Sequence, residues 1–282
     1  MPALLVGVEP PGADSAAIAT IAAPYLRLLP LDFAAAVRRS VGLLELAQPE
    51  EAVEAAAAAL RAAGRRYYAL SPQLLPRLPK PLQASTLDPR DAQRLLAQVQ
   101  LTGPPEAVPW TSVLVALPVQ LGSGAAVPAA GAEAGQAQPL ARKVMGVASS
   151  LAFTGGLSLL AGKGKKDASE KSRERPAAEP SRALLVLVAV RGPGDFVRLH
   201  TYADRCNYRV LAAPQPNAEA NWRALLAALR ARLPTGVAGA EALAAAETGQ
   251  RGPLFADDAA LVEYTRWQLA LCVLRRLGHL RE

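Results

Sequence analysis

The chain is poor in the side chains that carry most protein chemistry. Among its 282 residues there are two cysteines, Cys206 and Cys272, and two histidines, His200 and His279. Two thiols cannot build the disulfide framework of a small secreted domain, so a reducing cytoplasm is the expected compartment. The opening MPALLVGVEPPG has neither the basic stretch nor the apolar length of a secretory signal. Aromatic residues make up 5 % of the chain, and no aromatic-studded basic face of the kind that binds single strands is evident. No Cys/His spacing matches a zinc pattern. Glu50, Glu51 and Glu54 read as a solvated helix face with no partner carboxylate for acid–base work. No catalytic residue, metal ligand or cofactor site is therefore assigned.

Positive charge is present, but it is concentrated. The formal charge is +7. Between Ala141 and Arg182 there are nine basic residues and four acidic ones, so this stretch carries +5 and about +2 is left for the rest. The globular parts are nearly neutral, which argues against nucleic acid as a partner.

The same stretch belongs to an interruption. From Gly122 to Pro139 the sequence is a Gly/Ala/Pro tract, Val144–Gly162 is a run of 19 uncharged residues, and Lys163–Ser181 is polar and charge-dense. As a helix, Val144–Gly162 would reach about 28 Å, close to a bilayer core. Its four glycines, three serines and one threonine weaken that reading, and basic residues at both ends remove any orientation bias. Three readings stay open: a linker, a segment that dips into an anionic membrane surface, and a span. The candidate membrane-contact residues are Lys143, Val144, Leu151, Phe153, Leu159, Leu160, Lys163, Lys165 and Lys166. Within the run, Gly156–Gly164 falls short of a phosphate-binding loop. It has one residue too many before Gly162-Lys163, and Gly164 stands where Ser or Thr is needed.

The first eighty residues read as strand–helix–helix–strand–helix–strand. Ala3–Glu9 is a short aliphatic strand stopped by Pro10-Pro11-Gly12. Asp14 or Ser15 caps a helix ending near Pro24, and a second helix starts at Asp32 and turns Phe33, Ala36 and Val37 inward. Val41–Ala47 is a strand. A helix opens at Pro49, buries Val53, Ala57 and Leu60, and stops at Gly64; Arg65–Leu70 is the third strand. Helices on one face of a small antiparallel sheet make an α+β sandwich. The run Ala16–Leu70, with LPLDFAAAVRRS and PEEAVEAAAAALRAAG, resembles the C-terminal domain of the large-subunit ribosomal stalk protein. That family's basic, factor-binding helix is replaced here by AAIATIAAPYLRLLP, so the resemblance implies a fold and not ribosomal work. An unrelated ferredoxin-like domain is the alternative.

Beyond prolines 72, 76, 79 and 81 the pattern turns to short strands. Leu82–Leu87 and Val108–Leu121 are two, and Ala92–Leu101 is ambiguous between strand and helix. After the interruption, Ala183–Val190, Phe196–Tyr202 and Tyr208–Ala213 read as strands. Phe196, Arg198, His200 and Tyr202 share one face of the second of these. Asn217 caps a helix whose stripe is Trp222, Leu225, Leu226, Leu229 and Leu233. The last helix is capped by Asp257 or Asp258 and carries a wide apolar face, Leu261 to Leu274, that must dock on the body or on a partner. Short strands, the VPWTSVLVAL turn and a long amphipathic helix resemble a bacterial pleckstrin-homology-like barrel. That implies a barrel split by a loop insertion.

The expected architecture is α+β: a βααβαβ sandwich over 1–78, a β-rich barrel-like unit from 82–121 and 182–236, an insertion at 122–181, and a helical segment at 240–282. His200, Arg205 and Arg209 form a candidate anion or headgroup cradle. The expected role is a non-catalytic binding or scaffold protein with protein partners, at an anionic membrane surface associated with the inner membrane. A two-domain protein anchored by a span at 144–162 is the alternative. A further alternative is an enzyme using Cys206 with His200 as its base.

Overall fold

The computed structural model describes residues 3–10, 14–75, 77–100, 102–122, 181–192 and 195–280. Strand β1 (Ala3–Gly7) is buried along its whole length, because both of its faces are covered. It pairs antiparallel with β2 (Leu43–Leu46) on one side and β3 (Tyr67–Leu70) on the other, in the order β2-β1-β3. Helices α1 (Ser15–Leu26), α2 (Pro30–Arg39) and α3 (Glu50–Ala62) bury Ile18, Leu26, Phe33, Val37, Val53 and Leu60 against Ala3, Leu5 and Tyr67. The expected βααβαβ order and one-sided helix layer are present.

Two helix boundaries differ from expectation, each for a local reason. Helix α1 continues past Pro24 to Leu26. The proline lies in the last turn, where its missing N–H removes one bond, and burial of Leu26 holds that turn closed. Helix α2 begins at Pro30 rather than Asp32, since proline suits the first helical position.

The second body is built on a five-stranded sheet ordered β11-β8-β9-β10-β4, from Leu82–Gln83 (β4), Val113–Leu121 (β8), Arg182–Gly192 (β9), Asp195–Tyr202 (β10) and Leu254–Phe255 (β11). A smaller sheet holds Thr86–Asp88 (β5), Arg94–Gln98 (β6) and Glu106–Pro109 (β7). The chain bends between β4 and β5, so Leu82–Asp88 contributes to both sheets, with Ala84 N–H bonded to His200 O and Ser85 N–H to Gln98 O. Ala92–Leu101, ambiguous in sequence, supplies the strand β6. The barrel is not closed. A 3₁₀ turn at Trp110–Ser112 separates β7 from β8, and an ion pair between Arg191 and Glu106 at 2.8 Å spans that corner.

Helix α4 (Ala218–Arg230) packs Trp222, Leu225, Leu226 and Leu229 onto one face of this body. Asn217 Oδ1 accepts from Glu219 N–H at 2.7 Å, the cap that the sequence announces. Helix α5 (Ala240–Glu247) adds Leu243 to the same core. Tyr208–Ala213 is not a strand: Tyr208–Val210 is a 3₁₀ turn. Asn207 Oδ1 accepts from Arg209 N–H, and the Tyr208 hydroxyl donates to Ala203 O at 2.6 Å, which turns the backbone away from the sheet.

Helix α6 (Asp258–Arg276) joins the two bodies. Leu261, Trp267, Leu271 and Leu274 share one core with Leu4, Val6 and Leu70 of the first sheet and with Val115, Leu117, Val186 and Val188 of the second. The Trp267 indole N–H donates to Gly7 O at 2.8 Å, and Arg266 pairs with Glu45. The segment 240–282, expected to be helical, also supplies β11. That strand lies parallel to β8, Leu254 opposite Gln120.

Candidate functional site

The interruption leaves the fold from one place. Strands β8 and β9 pair antiparallel, with Leu117 opposite Val186 and Leu121 opposite Arg182. Residues 122–181 are thus an insertion between adjacent strands of one sheet, as the split-barrel reading requires. The nine candidate membrane-contact residues, Lys143, Val144, Leu151, Phe153, Leu159, Leu160, Lys163, Lys165 and Lys166, lie outside the described residues, as does the Gly156–Gly164 run.

The base of the insertion is firmly held. Gly122 N–H donates to Phe255 O at 2.8 Å, and Gln120 N–H donates to Pro253 O at 2.9 Å, so β11 braces the outgoing strand. On the returning side, Arg182 forms an ion pair with Asp204 at 2.7 Å and lies 4.4 Å from the Tyr202 ring centroid. Arg205 approaches the same ring at 5.8 Å. Two arginines beside one aromatic ring, with one carboxylate, sum to one positive charge.

The expected cradle of His200, Arg205 and Arg209 does not assemble as three cations. Arg205 and Arg209 are exposed, whereas His200 is 3 % exposed. Burial, with the neighbouring Arg198 charge, pushes the His200 pKa down to about 4, so the ring is neutral at physiological pH. The alternation expected of β10 holds, but the face bearing His200 meets α6 and not water. Arg198, on that face, pairs with Asp258 in the first turn of α6 at 3.1 Å. Burial lowers the Arg198 pKa, and Asp258 opposes that shift. Arg198 Nε, His200 Nε2 and, from the opposite face, Thr201 Oγ1 are buried with no hydrogen-bond partner among the described residues. The sequence hinted at this pair between a buried guanidinium and an exposed carboxylate only through polar residues alternating along an otherwise apolar strand.

Cys206 and His200 do not form a nucleophile–base pair. Cys206 packs against the α4-side core, while the His200 side chain lies on the α6 side of the sheet. Burial raises the Cys206 pKa to about 11, the reverse of what an activated thiol needs. Cys272 is buried, with Sγ donating to Leu114 O at 3.1 Å. His279 is exposed, its ring 5.6 Å from that of Tyr68. Among the described residues no group of three or more His, Cys, Asp or Glu could hold a metal ion, and no helix is long and apolar enough to cross a membrane. Compared with protein-family models, curated proteins and solved structures, the chain matches none.

Proposed function

We propose that this is a non-catalytic binding protein whose folded body presents residues 122–181 to an anionic membrane surface. The observation that carries this reading is the pairing of Leu121 with Arg182. A segment that crossed a bilayer once would leave those two residues on opposite sides of it, whereas they are neighbours in one ladder. A loop that dips and returns is compatible with the ladder; a single span at 144–162 is not. The loop carries an uncharged run flanked by Arg142, Lys143, Lys163, Lys165 and Lys166. Each basic residue near an anionic surface contributes roughly 1 kcal/mol at moderate salt, and the apolar run adds insertion of Leu and Phe side chains.

The two bodies support a proposal at the level of fold: a stalk-domain-like module and an open, pleckstrin-homology-like module capped by α4, joined through α6. Both would offer surfaces to protein partners at the inner face of the membrane.

Vesicle co-sedimentation tests the membrane reading. The full chain is expected to sediment with phosphatidylserine-containing vesicles, to stay in solution with phosphatidylcholine alone, and to be released by high salt. A chain in which a short Gly/Ser turn joins Leu121 to Arg182 is expected to stay in solution in every case. Equal sedimentation of the two chains would overturn the reading, as would no sedimentation of the full chain.

A further inference from the structure

A second charged site lies at the other end of β8. A cleft of about 300 Å³ opens there, between the start of β8, the turn after α4 and the last turn of α6. Arg275 and Arg276 line it, together with Thr111 and Thr235, and the buried Cys272 forms part of its floor. No carboxylate is among the lining residues. Another cleft, near Glu45 and Glu263, sets Arg39 and Arg266 beside those two acids and is close to neutral.

The lining supplies several donors suited to an oxyanion. Arg275 and Arg276 are exposed and form no ion pair among the described residues, unlike Arg61, Arg65, Arg66, Arg182, Arg198 and Arg266. Thr111 and Thr235 are exposed hydroxyls able to donate. Their turn is fixed: Gly236 takes a φ of +82°, and its carbonyl faces Cys272 Sγ at 3.8 Å. The C-terminal end of α6 contributes a partial negative charge of roughly half a unit, which two full guanidinium charges exceed. Guanidinium forks recognise planar or tetrahedral oxyanions through paired N–H donors.

We infer that this cleft binds a phosphate group carried by a soluble molecule. The source is argued from position. Leu114 at the cleft and Leu121 at the base of the insertion are seven residues apart on one strand, a separation of about 23 Å. The cleft therefore lies at the opposite end of β8 from the point where the insertion leaves the sheet. This inference uses none of residues 122–181 and stands or falls separately from the membrane reading.

The test is calorimetric titration of the full chain with inorganic phosphate and with phenyl phosphate, at constant ionic strength set by chloride. Saturable binding is expected, weakened at least about tenfold in R275Q/R276Q and unchanged in R232Q, which removes an exposed charge outside the cleft. Thr235→Val should weaken binding to a lesser degree, without altering the charge. Absence of saturable heat in the full chain would overturn the site, as would identical titrations of the full chain and R275Q/R276Q. Flotation with phosphatidic acid vesicles separates the two phosphate sources. Equal flotation of the full chain and R275Q/R276Q supports a soluble ligand, whereas loss in the double variant would overturn the soluble source in favour of a lipid headgroup.

Discussion

Trp267 and Gly42 should be energetically coupled, and the sign of that coupling tests whether α6 is seated on the first sheet as described. Gly42 adopts a φ of +116°, and a Cβ built there would lie 2.6 Å from the indole Nε1 of Trp267. Gly42→Ala therefore carries two costs: about 1–2 kcal/mol for a side chain in left-handed backbone, and about 1–3 kcal/mol for crowding a ring already packed on Tyr264. Together these come to roughly 3 kcal/mol. Trp267→Leu removes the indole and its bond to the Gly7 carbonyl. The lost packing and the unpaired acceptor should cost about 3–4 kcal/mol. In the Trp267→Leu background the crowding disappears, so Gly42→Ala should then cost only the backbone part, about 1–2 kcal/mol. The double variant is thus expected to be more stable than the sum of the two singles by about 2 kcal/mol. Urea unfolding followed by far-UV circular dichroism reads this directly, without relying on tryptophan emission. If the two changes add to within about 0.5 kcal/mol, the indole is not where Gly42 requires it and the reasoning fails.

Three further outcomes follow from features of the second body. Gly239, at φ +92°, has the Ala116 carbonyl where a Cβ would go, and backbone cannot give way, so Gly239→Ala should lower the melting temperature more than Gly278→Ala, whose site is open; equal shifts would refute the packing of α5 on β8. His200 stays neutral in the fold down to about pH 4, but in the unfolded chain it takes a proton below about 6.5. The unfolded state thus binds the extra proton between those values, stability falls on acidification by up to about 3 kcal/mol, and His200→Gln should flatten that dependence in urea titrations at pH 7 and pH 4.5. Cys206, with a thiol pKa pushed up to about 11, should be alkylated by iodoacetamide at pH 8 far more slowly in the fold than in urea; rapid native labelling would contradict its burial.

Much of this fold is legible locally because local chemistry decides it. The strand Ala3–Gly7, the helix Glu50–Ala62, and the caps Asn217 and Asp257 are specified by neighbours within four or five residues. The β8–β9 pairing across the insertion was implied only by the resemblance to a split barrel, with a span joining two separate units left open as the alternative. What local pattern could not supply was the partner of each face. Alternation placed Arg198 and His200 together, yet nothing near them in sequence says that α6, sixty residues later, covers that face and brings Asp258 to the guanidinium. The strand expected at Tyr208–Ala213 failed because a hydroxyl-to-carbonyl bond and an Asn cap outweighed β propensity. Strand β11, two residues long, is set only by its register on β8. The cleft at Arg275 and Arg276 was not legible either, because the threonines that line it with them come from segments far apart in the chain.

The seating of α6 has a consequence for biogenesis. Leu4 and Val6 are synthesised about 260 residues ahead of Trp267, which shares their core. At ordinary elongation rates of about 5–20 residues per second, the second face of the first sheet waits roughly 13–50 s for its cover. During that interval a nascent chain displays a greasy sheet with free edges, the kind of surface that chaperones retain. Ribosomes stalled before the codon for Asp258 should therefore carry far more bound chaperone than ribosomes that have passed it.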